Sequence, residues 1–202
     1  MHGPTYIRKK FGDAVMHSTH TLGELLNSGI EKGYAEDFAE HSFLKAYIGW
    51  EIFLEDSFKS YLLGRRTDSG YKMKRYLKPK DLKHVENLIS YKWTNTYERW
   101  NYIEVAKRAD LFFKDYSNYS NAFTSIKTQL DDMSKIRNHI AHKSEKSKAE
   151  FEHVVRDRLH GGTVPSNITV GKFLLNTNSS SSTLIYDEYM DGLIAASKII
   201  VP

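Results

Sequence analysis

Two stretches of the chain carry a strong three- and four-residue apolar rhythm, and both predict helices. Over 35–63, Phe38, Phe43, Ala46, Tyr47, Trp50, Phe53, Leu54, Phe58 and Leu62 make a broad apolar stripe, with Gly64 as the stop signal. Over 119–143, Ile126, Leu130, Met133, Ile136 and Ile140 follow one another by 4, 3, 3 and 4 residues, a clean helical face. Weaker patterns predict a short helix over 18–28, closed off by Gly29 and Gly33, and another over 79–91 with Pro79 in its first turn. A third covers 98–113 with Ile103, Ala106, Ala109 and Phe113 turned inward. A charged amphipathic helix over 147–160 ends at Gly161 and Gly162, and a last helix covers 184–200. The segment 164–176 is mixed, with extended character around Ile168, Val170 and Phe173 to Leu175, and the serines of 179–182 read as a loop. The expectation is an all-α helical bundle forming a single domain over 1–202. Its helical core is 18–160, and 161–202 adds a loop and a C-terminal helix as a small irregular or short-strand elaboration.

Composition narrows this picture by exclusion. With 202 residues, 40% of them apolar and 27% charged, the chain can bury a core and belongs with soluble globular proteins. No apolar run approaches the roughly 18 residues of a membrane span, and the N-terminus lacks the apolar core of a secretory signal. No membrane partner and a cytoplasmic location are therefore expected. The absence of cysteine rules out disulfides, thiol nucleophiles and thiolate zinc sites. Any metal would rest on the nine histidines and the carboxylates, and neither His139-x-x-His142 nor His17-x-x-His20 has a third ligand in register. No metal site and no cofactor are expected. A net charge of +4 tilts the chain weakly toward a polyanionic partner.

The candidate chemistry lies in Arg137-Asn138-His139-Ile140-Ala141-His142, inside the second strong helical pattern. The arginine supplies a permanent charge, the amide a hydrogen-bonding orienter and the histidine a proton shuttle, which together suit phosphoryl chemistry on RNA without a metal. Asn138 and His142 are four residues apart and share a helix face. Arg137 and His142 are five apart, so a straight helix separates them by about 140° and about 7.5 Å along its axis. They cannot easily serve one phosphate from the same helix unless it ends or distorts near Ala141; two copies facing each other across a two-fold axis offer another route.

The segment from Ile136 to His142 resembles the R-x4–6-H signature of HEPN domains, including the polar residue that this family places after the arginine. Ala46-Tyr47-Ile48-Gly49-Trp50-Glu51-Ile52-Phe53-Leu54-Glu55 resembles the long early helix of those proteins. Ala109-Asp110-Leu111-Phe112-Phe113 and Gln129-Leu130-Asp131-Asp132-Met133 resemble segments that lead into the motif in the RiboL-PSP-type subgroup. The similarity covers roughly 35–200. It implies a HEPN-like bundle and a metal-independent endoribonuclease, working as a homodimer on an RNA substrate in a toxin–antitoxin or phage-defence system. The antitoxin or defence partner would be a separately encoded protein. His142 would be the general acid or base, Arg137 would hold the scissile phosphate, and Asn138 would fix the imidazole or bond the phosphate. In one branch of the family a tyrosine stands two residues after the histidine and is modified by the partner. Here that position is Ser144, so this mode of neutralisation does not carry over.

Competing readings stand beside these. Arg137 and His142 also fit an ordinary polar helix face, with the arginine paired to a carboxylate, and a HEPN-like module that binds RNA or protein without cutting is the alternative function. Glu51 is the candidate additional acid of the site, although an exposed carboxylate or an ion pair is the plainer reading. The basic segment 64–80, with Arg65, Arg66, Lys74 and Arg75 among its cations and Tyr71 and Tyr76 between them, offers phosphate contacts and stacking, against the simpler reading of a solvated loop. Lys143, next to the motif, is the better-placed phosphate contact. His139 reads as a solvated or interface residue, and Asp132 as part of an exposed stripe.

Overall fold

The computed structural model describes residues 1–90, 100–159, 164–178 and 182–202. Among them the protein is all-α, with nine helices and no sheet. In chain order these are α1 Pro4–Asn27, α2 Lys32–Leu62, α3 Leu82–Ile89, α4 Tyr102–Phe112, α5 Ser117–Ser125, α6 Lys127–His142, α7 Glu145–Arg158, α8 Val170–Leu174 and α9 Ile185–Ile200. Two compact units emerge. The first is Met1–Asp13, Gly49–Ser125 and Ala195–Pro202; the second is Ala14–Ile48 and Ile126–Ile194. Three of the four crossings between them fall within α1, α2 and α9, and the fourth, at Ser125–Ile126, falls between α5 and α6.

The first unit is built on aromatic packing. Phe58 meets the edge of Phe113 at 5.0 Å between ring centres, and the Ser57 hydroxyl pairs with the Tyr119 hydroxyl at 3.1 Å. Tyr61 donates to the Ile200 carbonyl at 3.0 Å, satisfying a buried phenol with a helix-end acceptor. The sequence pattern missed the first turns of α1, where Pro4 occupies the first helical position and Ile7, Phe11 and Val15 are buried at four-residue steps. On α4 the expected inward face was right at Ala109 and Phe113 and wrong at Ile103. Ile103 is 48% exposed, while Val105, Ala109 and Phe113 form the buried stripe. Asn101 caps that helix by accepting from the Glu104 amide at 3.0 Å, and Asp81, not Pro79, sets the start of α3. The expected start of α4 at Glu98 and the expected end of α3 at Tyr91 lie outside the described residues.

In the second unit, α6 packs on α7. The predicted single helix over 119–143 is two helices, α5 and α6, broken at Ile126 with φ −127° and ψ 26°. The apolar rhythm conceals the break because Ile126 stays buried in step with Leu130 and Met133. Residues 170–174, where the pattern allows a short strand, form helix α8 instead. Thr169 caps it by accepting from the Lys172 amide at 3.1 Å, and Val170, Phe173 and Leu174 bury one face at helical spacing. Gly171 is required there, because a Cβ would run into the backbone of Glu36 on α2. Nor is α9 an elaboration: Tyr186, Tyr189 and Leu193 are fully buried, and Tyr189 meets the edge of Phe43 at 6.0 Å. The Gly161–Gly162 stop and most of the serine loop lie outside the described residues.

Candidate active site

Helix α6 ends at His142, and the termination is built into three successive residues. Lys143 adopts the left-handed conformation at φ 47° and returns its N–H to the His139 carbonyl at 3.0 Å. Ser144 then accepts from the Ser147 amide at 3.2 Å and starts α7. The motif histidine is thus the last helical residue, and because Arg137 lies in the same helix, their offset of about 140° still holds within one copy. The side chain of His142 is exposed and has no hydrogen-bond partner among the described residues. Ser144, in place of a modifiable tyrosine, is occupied as a cap.

Arg137 is half-buried and leans round the helix to its neighbour, with Nη1 donating to Asn138 Oδ1 at 3.3 Å. No carboxylate among the described residues lies within ion-pair distance of it. Asn138 therefore contacts the guanidinium, rather than the imidazole as the spacing suggested. Because Asn138 and His142 share a face, this contact draws the arginine toward the histidine's side of α6. Beneath, Ile136 is fully buried and anchors the helix.

Two residues near the motif depart from expectation. His139 is not a solvated residue: its ring lies flat on Phe151 of α7, 5.0 Å between centres and 8° from parallel, with Nδ1 buried and unpartnered among the described residues. Burial holds its basicity below that of an ordinary imidazole, against the charge of Glu40. Asp132 is not on an exposed stripe but only 6% accessible. It accepts from Arg158 Nε at 2.7 Å, and Arg158 Nη1 reaches Glu188 at 2.9 Å. Burial pushes the Asp132 carboxyl above its ordinary range, with Arg158 opposing. Burial also acts to raise Glu188, but hydrogen bonding from Asn178 and the charge of Arg158 outweigh it and hold that group low. Sequence reading missed this cluster because its members, Asp132, Arg158 and Glu188, sit on three helices with no local spacing to join them.

The remaining candidates are distributed between the units. Lys143 is exposed beside His142, in the second unit. Glu51 is half-buried on α2 and belongs to the first unit. Arg65, Arg66 and Lys74 are exposed on the segment that follows α2. Arg75 is taken up structurally: its Nη1 donates to the Leu62 carbonyl, and the guanidinium lies where a Cβ on Gly64, at φ +80°, would have to go. It closes the C-terminus of α2, a role that basic composition alone does not reveal. The segment is more than a solvated loop, since Thr67 and Met73 are buried in it. Among the described residues no three histidines or carboxylates gather as metal ligands, and no helix is long and apolar enough to cross a membrane. His20 instead faces Glu24 at 3.5 Å.

Comparison of the chain with protein-family models, curated proteins and solved structures gives no match. The resemblance to HEPN domains accordingly rests on the motif residues and the segments around them.

Proposed function

We propose that the protein is a metal-independent endoribonuclease of HEPN type, acting as a homodimer in a toxin–antitoxin or phage-defence system, with a separately encoded neutralising or sensing partner. The observation that carries the reading is the state of the motif. Arg137 has only Asn138 as a partner among the described residues, and His142 stands exposed at the helix end. An ordinary polar face would have met the arginine with a carboxylate. In the proposed reaction the ribose 2′-oxygen attacks the adjacent phosphorus, its proton passing to one base. The P–O5′ bond breaks, and the leaving 5′-oxygen takes a proton from an acid. His142 of the two copies would share those roles, and Arg137 would stabilise the charge gathering on the phosphoryl oxygens. The products are a 2′,3′-cyclic phosphate and a 5′-hydroxyl, so DNA resists.

The test is incubation of the full chain with end-labelled single-stranded RNA in EDTA. Wild type cuts RNA but not DNA of the same sequence, and His142→Ala does not cut. If wild type and His142→Ala leave the RNA equally intact, the nuclease reading fails and a non-cutting binding module takes its place.

A further inference from the structure

The first unit carries a second, independent feature on the segment after α2. The Lys114 amide donates to the Lys74 carbonyl at 2.8 Å and the Tyr76 amide to the Phe112 carbonyl at 3.0 Å, around an antiparallel bridge between Arg75 and Phe113. Side chains alternate along such a pairing. Met73 and Phe113 point inward, each 1% exposed, and Arg75 turns back to close α2. Lys74, Tyr76 and Lys114 are therefore left on the outer side. Tyr76 is 58% exposed, with the Lys114 ammonium 5.9 Å from its ring centre. The other tyrosine of the segment differs: Tyr71 packs edge-on against Tyr61 and donates to Asn118 at 3.2 Å. Lys72, Lys78 and Lys80 extend the positive charge along the segment. Asp115, on whose carboxylate Lys74 acts only weakly, already accepts from the Ser117 amide at 3.0 Å.

We propose that Lys74, Tyr76 and Lys114 form a docking platform for a single-stranded nucleic acid, with a base stacked on the Tyr76 ring and phosphates against the two lysines. A ring held on a paired backbone, 58% exposed and with an ammonium over it 5.9 Å from its centre, suits a planar base attached to an anionic backbone. The exposed apolar surface beside it, Leu77 and Leu111, is too small to seat a lipid face. That the strand is RNA rests on the nuclease reading; the platform itself does not.

The experiment uses the full chain carrying His142→Ala, so that binding is measured without cleavage, and a short fluorescein-labelled oligouridylate followed by anisotropy. Tyr76→Ala weakens binding at least about fivefold, the lower end of what a base–aromatic stack supplies, and Tyr76→Phe retains it. Lys74→Glu with Lys114→Glu flattens the dependence of log Kd on log salt by about 0.7 for each phosphate that is no longer neutralised. Lys9→Glu, a single charge reversal on the exposed side of α1, does neither. Equal binding by all variants overturns the platform, as does an equal loss from Lys9→Glu. So does a loss confined to anionic phosphatidylserine vesicles, which would make the surface a membrane contact. The two proposals fail separately: wild type that does not cut RNA while Tyr76→Ala impairs binding sinks the nuclease alone. Cleavage by wild type with binding indifferent to Tyr76 sinks the platform alone.

Discussion

Two arginines of the second unit meet opposite fates. The Arg158 side chain is 16% exposed, bonded to Asp132 at 2.7 Å and Glu188 at 2.9 Å, and lies 5.4 Å over the Tyr189 ring. Glu188 is fixed in turn by Asn178 at 2.7 Å and Gln129 at 3.3 Å. Arg137 leaves α6 five residues after Asp132 and has one neutral partner among the described residues, Asn138. The difference separates a charge that the fold neutralises for itself from one that it holds unneutralised. The first joins helices; the second is available to an anion from outside. Burial alone does not distinguish them, because both are partly covered. The partner does.

The sharpest break of this comparison is chemical. His142→Ala and Arg137→Met each lower RNA cleavage at least about a hundredfold, the usual cost of losing a positioned proton carrier or a charge aimed at the transition state. Single-turnover cleavage of labelled RNA measures it. Next is Arg158→Met, which strands Asp132 without its counter-charge and costs about 3–5 kcal/mol in urea unfolding, the range for breaking a buried pair. Arg137→Met should cost clearly less in the same assay, because it strands no buried carboxylate. An equal loss from both substitutions would erase the distinction. Ser144→Ala removes the cap of α7 and costs about 1 kcal/mol without abolishing cleavage.

The smallest effect is a pH dependence. Folding depresses the His139 pKa from the ordinary value of 6.5, so in the acid range the unfolded chain takes up the proton before the folded one. Stability from this group is complete above pH 6.5 and is lost as pH falls through the folded pKa. His139→Phe keeps a ring on Phe151 and should lose less Tm than wild type between about pH 7.5 and about pH 5. An identical decline in both proteins would assign the acid sensitivity elsewhere.

The helices α2, α6 and α9 were legible from a regular apolar stripe on one face, whereas the sparser stripe of Ile7, Phe11 and Val15 at the start of α1 was not read. Legibility failed where a local event left that stripe intact. Ile126 breaks the helix without leaving the core, and Thr169 caps a turn in a segment whose apolar residues also suit a strand. Caps such as Asp81 and Asn101 depend on one side-chain oxygen reaching one amide, which a periodic pattern does not encode. For the site, the motif residues and the shared face of Asn138 and His142 could be read directly. The Arg137–Asn138 contact could not, because neighbours in a helix do not face each other until a long side chain bends round. Arg75 and Asp132 were misassigned for a shared reason: charge suggests solvent, and only the fold supplies the carbonyl or the guanidinium that receives it.

Lys143 sits in a backbone conformation that costs an L-residue with a Cβ roughly 1 kcal/mol and costs glycine little. The position therefore sets two selections against each other. Libraries randomised at 143 and sorted for heat resistance should drift to glycine or asparagine. Libraries sorted for arrest of host growth should keep lysine, if its charge holds substrate beside His142. Which residue wins in each pool reports what the bend is for.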